Sequence, residues 1–277
     1  MCIRDSLTLI APGLGGRVLT RRLREQGATG EFKPFQIGCR IEHPQEFIDR
    51  RQYRITGSRP EALGAAEYHM VSHPRQAPGV STFCMCPGGE ILNATAWRGR
   101  SLTNGMSDYA RDGEFANSCL IVTFPPEKFA GPDAAYDRLE ALERASFELG
   151  GSDYTLPAQD AAAFLRRRNG LSSRATSCRW ALVPGRIDRL LPEELAAGIA
   201  AALTHFDRIM PGFIRNGKLV GVETCVSSPF RFRRDLETLE SSLSGLYLSG
   251  EGAGCAGGIM SAAADGLRIA LAMLRRG

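Results

Sequence analysis

The sequence predicts an α/β protein with a mixed α+β block inserted into it. Three observations predict this. Short apolar strand-like runs lead through glycine into a helical pattern at both ends of the chain, LTLIAPGLGG near the start and GLYLSGEGAG near the finish. Between them the texture changes, from short runs broken by Gly, Pro and Asn to longer stretches with apolar residues at helical spacing. The 277 residues suffice for two modest domains, or for one domain carrying an insertion. Two distant chain ends that fold together around a central block give this arrangement.

Taken in order, Leu7–Ala11 reads as a short buried strand, of parallel type because it lacks polar alternation. VLTRRLREQG follows as a helix with Gly27 at its C-terminal cap. From Phe35 to Asn104, QIGCRIE, VSTFCMC, EILNATAW and SLTNG read as strands of a mostly antiparallel region, and Ser118–Phe124 adds one more. Asp133–Leu149 reads as a helix stopped by Gly150 and Gly151. Pro157–Arg168 reads as a second helix with proline in its first turn, and Pro192–Met210 as a third. KLVGVETCV, FRFRR and GLYLS return to strand, and a last helix runs from about Gly258 to Arg275.

Composition narrows the function classes. The formal net charge is only +4, with three lysines (Lys33, Lys128, Lys218) against 31 arginines. That skew reads as codon usage in a GC-rich bacterial genome. A nucleic-acid surface would cluster basic residues among aromatics, and only Arg166-Arg167-Arg168 and Arg233-Arg234 approach this. No apolar run reaches the roughly 20 residues that span a bilayer; Ile259–Leu274 is interrupted by Asp265 and Arg268. Eight scattered cysteines without a signal peptide read as free thiols in a reducing compartment, hence a cytoplasmic protein. The expected partner is a small-molecule substrate, with no nucleic acid, membrane or metal; the oligomeric state is left unassigned. Met1–Ser6 reads as non-native, like a translated sequencing adapter joined to an incomplete gene, with the protein's own sequence starting at Leu7 in mid-strand.

Gly252-Ala-Gly254-Cys-Ala-Gly257 spells G-x-G-x-x-G between a strand and a helix. A free-standing dinucleotide fingerprint also needs a second strand with an acidic residue about 20 positions on. The sequence offers only Asp265, inside the helix, so an NAD-binding module is disfavoured. The pieces retain a physical use. Glycines admit a bulky ligand close to the backbone. The helix start offers free N–H groups and a positive dipole end, suited to a partly anionic ring edge or a phosphate. Glu251 can accept hydrogen bonds from sugar hydroxyls. The alternative is a tight turn without ligand, although five glycines in Gly250–Gly258 exceed what a turn needs.

G-L-Y-x-x-G-E-G-A-G-x-A-G-G-I-x-S-A-A-x-D-G resembles the C-terminal FAD-binding segment of a family of FAD-dependent dehydrogenases with a split FAD-binding domain. LTLIAPG, KPFQIGCRIEHPQEFID, STFCMCPGGEI, TNGMSDYARDGEFANS and GVETCVSSPFRFRRD resemble further segments of that family, so the resemblance runs through almost the whole chain. It implies an incomplete split FAD-binding Rossmann-like domain that lacks its N-terminal βαβ unit, with an inserted substrate domain of strands plus helices. Residues 1–30 and 233–277 are then the FAD-domain segments and 31–232 the insertion. The implied function is the C-terminal fragment of a FAD-dependent oxidoreductase, itself inactive. The alternative is a non-catalytic fragment or binding module that does not hold flavin on its own.

By resemblance, Ala11, Pro12 and Gly13 pass near the cofactor, Gly250 and Glu251 lie by the ribityl chain, and Gly252 is a further cofactor-binding position. Gly257, Gly258 and Ile259 present the helix start to the flavin pyrimidine edge. Three residues are candidates for chemistry. Cys84 and Cys86, two apart on a strand, are expected on one face. They serve as a redox or substrate-contacting pair, as buried packing or, less suitably, as metal ligands. Arg231, beside Ser227-Ser228-Pro229, is a carboxylate clamp or a surface arginine next to a bulge. His43, His69, His73 and His205 form no recognisable triad or metal set.

Overall fold

The structure is a computed structural model that describes residues 7–275. The reading of Met1–Ser6 as non-native lies outside the described residues. The chain divides into two compact units. One takes the chain up to Phe35, Phe124–Arg138 and everything from Cys225; the other takes Gln36–Thr123 and Leu139–Thr224. The first unit therefore draws residues 31–35, 124–138 and 225–232 out of the span 31–232. The architecture is mixed α/β with open sheets.

In the first unit, β1 (Thr8–Ile10) leads into α1 (Arg17–Glu25), followed by β2 (Gly30–Phe32). α1 ends as its glycine indicates: Gly27 has φ +95°, its N–H donates to the Arg24 carbonyl, and the Ala28 N–H donates to Leu23. The last part of the unit holds β12 (Phe230–Phe232), β13 (Leu246–Leu248) and α8 (Ile259–Leu274). β1 pairs in parallel with β13, Thr8 facing Leu246 and Ile10 facing Leu248. β12 pairs antiparallel with β2. β1 is not the buried strand that its apolar residues suggest, because Thr8 and Leu9 are exposed and, among the described residues, β13 is its one ladder partner.

α8 is largely apolar, with Ser261, Asp265 and Arg268 on one face, yet among its described residues only Asp265 and Ile269 are buried. Ile259, Leu267 and Leu274 are 88%, 67% and 77% exposed, and Leu9, Val18 and Leu19 are exposed as well. Large apolar side chains exposed together along one helix are normally covered by a partner surface. The purified chain is therefore expected to enhance the fluorescence of a hydrophobic dye and to self-associate. A monodisperse, dye-silent monomer in light scattering would contradict this. Among the described residues no helix is both long and apolar enough to cross a membrane.

The second unit is built on a seven-stranded sheet whose members are β3 (Phe35–Pro44), β4 (Val71–Ser72), β5 (Val80–Cys86), β8 (Phe115–Phe124), β9 (Leu156–Asp160), β10 (Leu182–Pro184) and β11 (Lys218–Glu223). Their spatial order is β10-β9-β11-β3-β8-β5-β4, which puts β3 at the centre. β6 (Gly89–Asn93) and β7 (Thr103–Ser107) form a separate antiparallel hairpin. The helices are α2 (Gln45–Tyr53), α3 (Pro132–Leu149, whose first turns belong to the other unit), α4 (Ala161–Leu165), α5 (Ile187–Leu190), α6 (Glu193–Ile209) and α7 (Phe213–Asn216). α6 buries Leu195, Ile199, Ala202, Leu203 and Phe206, a three-to-four-residue period that packs one stripe inward. Ile91, Leu156, Ala158, Cys178 and Val220 form one core cluster.

The sequence reading differs here in two places. Pro157–Arg168 is not one helix: Leu156–Asp160 is strand β9 and only Ala161–Leu165 is helical. Pro157 pairs with Val183 of β10 and precedes the first residue that faces β11, so its missing N–H interrupts no bond on that side. α2 is a helix within the stretch read as strands. Pro44 sits at its start, Glu46 is in its first turn and Arg50 and Arg51 are in its last, each favourable to the helix dipole.

Candidate functional site

The glycine-rich turn belongs to the first unit. A β-carbon on Gly252 would lie 2.2 Å from the Gly13 carbonyl oxygen and 2.9 Å from Pro12 Cγ. Only glycine lets the exits of β1 and β13 touch there, and this brings Pro12, Gly13 and Gly252 together with exposed Ala11 beside them. The Gly250 N–H is committed internally, donating to Asp265 Oδ2 at 2.8 Å. Glu251 is half-buried, and its carbonyl accepts from Gly254. At the start of α8 the situation reverses. A β-carbon on Gly257 would meet nothing within 4 Å, and one on Gly258 only Ser261 Oγ at 4.0 Å. Ile259 and Met260 are exposed. The Gly257 N–H donates to Ser261 Oγ, while the first-turn N–H groups of α8 have no intrahelical acceptor.

Asp265 is the group that sequence reasoning passed over. It is buried one face into α8, where it accepts from Arg234 Nη1 at 2.7 Å and Nη2 at 2.9 Å, from Ser249 Oγ at 3.1 Å and from the Gly250 N–H. Although burial opposes ionisation, these donors, the Arg234 guanidinium foremost, hold its carboxyl below the ordinary value. An acidic residue alone in an apolar helix was the available signal. Arg231 is exposed on β12 and pairs with Glu31, its cross-strand neighbour on β2. It lines a cleft of about 460 Å³ together with Arg233, Arg234, Cys255, Asp265 and Arg268. Ser228 is buried and donates to the Phe230 carbonyl at 2.8 Å.

The second unit holds a polar centre around Arg40, a wholly buried residue of the central strand. Two bulges build it. β11 has an extra residue between Val220 and Glu223, where Gly221 takes φ +50°, and this carries Glu223 opposite Gly38. β5 has an extra residue between Phe83 and Cys86, where Cys84 takes φ +47°. Arg40 Nε pairs with Glu223 Oε2 at 2.7 Å, Nη1 donates to the Cys84 carbonyl at 2.8 Å, and Nη2 donates to Asn104 Oδ1 at 2.8 Å. One guanidinium thereby ties β5, β7 and β11 to β3. Burial pushes the Glu223 carboxyl up to about 7, with Arg40 pulling against it.

The bulge corrects the expectation for Cys84 and Cys86. They do not sit on one face of a regular strand: Cys84 is exposed and Cys86 is buried. Among the described residues no group of three or more His, Cys, Asp or Glu is placed to hold a metal ion. His43 is buried, with Nε2 2.9 Å from the Phe213 carbonyl oxygen, and desolvation lowers its pKa to about 4. Arg40 and Glu223 were each legible as a charge inside an apolar strand, QIGCRIE and KLVGVET; their pairing was not.

The chain matches the family described as FAD-dependent protein, C-terminal domain-like over residues 34–226. It is 36% identical over 270 residues to a protein of Clostridium beijerinckii named "Uncharacterized protein". That match takes in 95% of this chain and 50% of the relative, so the chain spans about half the relative's length. The glycine-rich turn and α8 lie outside the family-matched span.

Proposed function

The chain belongs to the family of FAD-dependent protein C-terminal domains, and on that premise we propose that it supplies the flavin and ribityl side of a FAD site, together with a substrate domain, within a FAD-dependent oxidoreductase of the dehydrogenase type. The carrying observation is the open ground before Gly257. Neither φ nor packing within the chain requires glycine there, and a ring edge at the helix start would. The residues present fit that half of the cofactor. The turn Gly257–Ile259 would hold the pyrimidine edge, Glu251 the ribityl hydroxyls, and Pro12–Gly13 the adjoining wall. When bound, FAD supplies the two-electron acceptor. The chain's own part is to bind and orient it, and to stabilise the charge that grows on the ring with the dipole of α8. On this reading the substrate is a small molecule and the compartment a reducing cytoplasm, with which scattered free thiols agree.

A second reading is a binding module that holds no flavin by itself. It is favoured by the commitment of the Gly250 N–H to Asp265. Titration with FAD and with FMN, which share the flavin and differ in the adenylate half, separates the two. A flavin-side half-site is expected to quench both fluorophores with similar dissociation constants, on the order of 100 µM. Gly257→Val is expected to abolish the quench without changing the melting curve. Tight binding of FAD alone would overturn the half-site, and no quench with either cofactor at millimolar concentration would establish the second reading.

A further inference from the structure

We propose that Cys84 and Cys86 are a dithiol that a hydroperoxide oxidises to an intramolecular disulfide, with Cys84 attacking and Cys86 resolving. The geometry assigns the roles. Among the described residues Cys84 is the one exposed free cysteine; Cys39, Cys86, Cys119 and Cys178 are buried, and Cys225 and Cys255 are half-buried. The bulge turns Cys84 outward while leaving Cys86 directly behind it, with Cys86 Sγ 3.4 Å from the Cys84 carbonyl oxygen. That carbonyl is in turn fixed by Arg40 Nη1, so the exposed thiol stands on a held backbone rather than a loose loop.

Three further observations fit this assignment. Cys84 occupies the left-handed region at φ +47°, a conformation that a cysteine adopts only where its surroundings impose it and that clusters at functional positions. Asn117, opposite Cys86 in the ladder, is wholly buried, yet neither its Oδ1 nor its Nδ2 has a hydrogen-bond partner. Its amide is thus a polar group beside the pair that the fold does not use. The Cys86 thiol, by hydrogen-bonding the Cys84 sulfur, and then the Arg40 guanidinium hold the Cys84 thiol down to about 5, whereas that same bond and then burial push Cys86 up. The pair therefore presents one outward sulfur that loses its proton the more readily and one inward thiol, the division of labour that the two steps require.

In the first step the Cys84 thiolate attacks the hydroperoxide. An S–O bond forms, the O–O bond breaks, sulfur loses two electrons, and the alkoxide or hydroxide leaves with a proton from water. In the second step Cys86 sulfur attacks the Cys84 sulfenic acid, the S–S bond forms, and the Cys86 proton leaves with the sulfenic oxygen as water. Two thiols and one ROOH give one disulfide, ROH and water.

The test is made on the full chain without flavin, so its outcome is independent of the FAD reading. The chain is treated with equimolar hydrogen peroxide at pH 6, where ordinary thiols are protonated, then alkylated, digested and weighed. The expected product is a peptide carrying both cysteines, lighter by two hydrogens, closed to alkylation and reopened by dithiothreitol. It should form at least roughly tenfold faster than oxidation at Cys225 or Cys255. Cys86→Ser is expected to stop at a Cys84 sulfenic acid that dimedone traps, and Cys84→Ser to leave Cys86 unoxidised. Oxidation of Cys84 no faster than of Cys225 and Cys255, or a wild-type product without the two-hydrogen loss, overturns the proposal. If Cys86→Ser does not fold, the wild-type mass and rate alone decide.

Discussion

Replacing Arg40 with methionine is expected to lower the melting temperature by on the order of 10 °C. Methionine fills much of the volume but donates nothing. It leaves the Glu223 carboxyl, the Asn104 carboxamide and the Cys84 carbonyl, all partners of one wholly buried guanidinium, without their donor. At pH 8, where Glu223 is ionised, breaking the buried pair by removing one member costs about 3–5 kcal/mol, since the remaining charge keeps its desolvation penalty. For a unit of this size each kcal/mol moves the midpoint by roughly 2–4 °C. Glu223→Gln should cost less and should alter the pH dependence. Burial raises the Glu223 carboxyl from an ordinary 4.5 to about 7, so between those values the native state holds a proton that the unfolded chain has released. Its contribution is fully present below 4.5 and is lost as pH rises through 7. Urea melts of wild type and Glu223→Gln at pH 5 and pH 8 check this. Equal differences between the two pH values in both proteins would refute the titration, and an Arg40→Met midpoint within 2 °C of wild type would refute the central role of the pair.

What the sequence made legible follows from where local pattern and tertiary structure agree. α6 carries its stripe in the sequence, and α1 announces its end with Gly27, because both signals are local. β9 and α2 were lost for opposite reasons. LPAQD carries at its second position a proline, Pro157, that suits a helix start, and only pairing with β10 and β11 makes it a strand. QEFIDRRQY has few apolar residues to show a period, although its terminal charges are those of a helix.

The candidate site was legible to the same extent. The glycines of the turn could be found by count, yet what each does depends on neighbours remote in sequence. Gly252 admits the Gly13 carbonyl, while Gly257 faces open space. Cys84 and Cys86 were found by spacing, but a period-two argument assumes an unbroken ladder. The extra residue in β5, visible only against β8, turned one sulfur out and the other in. Arg40 stood in plain view in QIGCRIE. Nothing local says that its partner lies 183 residues away.

Asp265→Ala is expected to release α8 from its turn while leaving the second unit folded. The helix is held by two buried side chains, Asp265 and Ile269, so the carboxylate is half of its inward anchor. Alanine would strand the largely buried Arg234 guanidinium and the Gly250 N–H, which together make three of the four hydrogen bonds to that carboxylate. Leaving such donors unmet costs about 1–3 kcal/mol apiece. Part is recovered where Arg234 turns its head to solvent, so the expected local loss is about 3 kcal/mol. Asp265→Asn keeps an acceptor for Gly250 but removes the charge that binds Arg234, and should fall between. The donors hold the Asp265 carboxyl below its ordinary 3.8, so its contribution is present above that value and is lost as pH falls through the lower folded one. Hydrogen exchange reads the consequence by region. Amides of β13 and α8 should exchange on the order of a hundredfold faster in Asp265→Ala at pH 7, with those of β3, β8 and α6 unchanged. Unchanged exchange in α8 would mean that Ile269 and the glycine turn hold the helix without the carboxylate. Equal acceleration throughout would mean that the clamp serves the whole chain. The same variant should lose the weak flavin quench, because the first-turn N–H groups of α8 converge on a ligand only while Gly250–Gly258 is pinned to the helix that follows it.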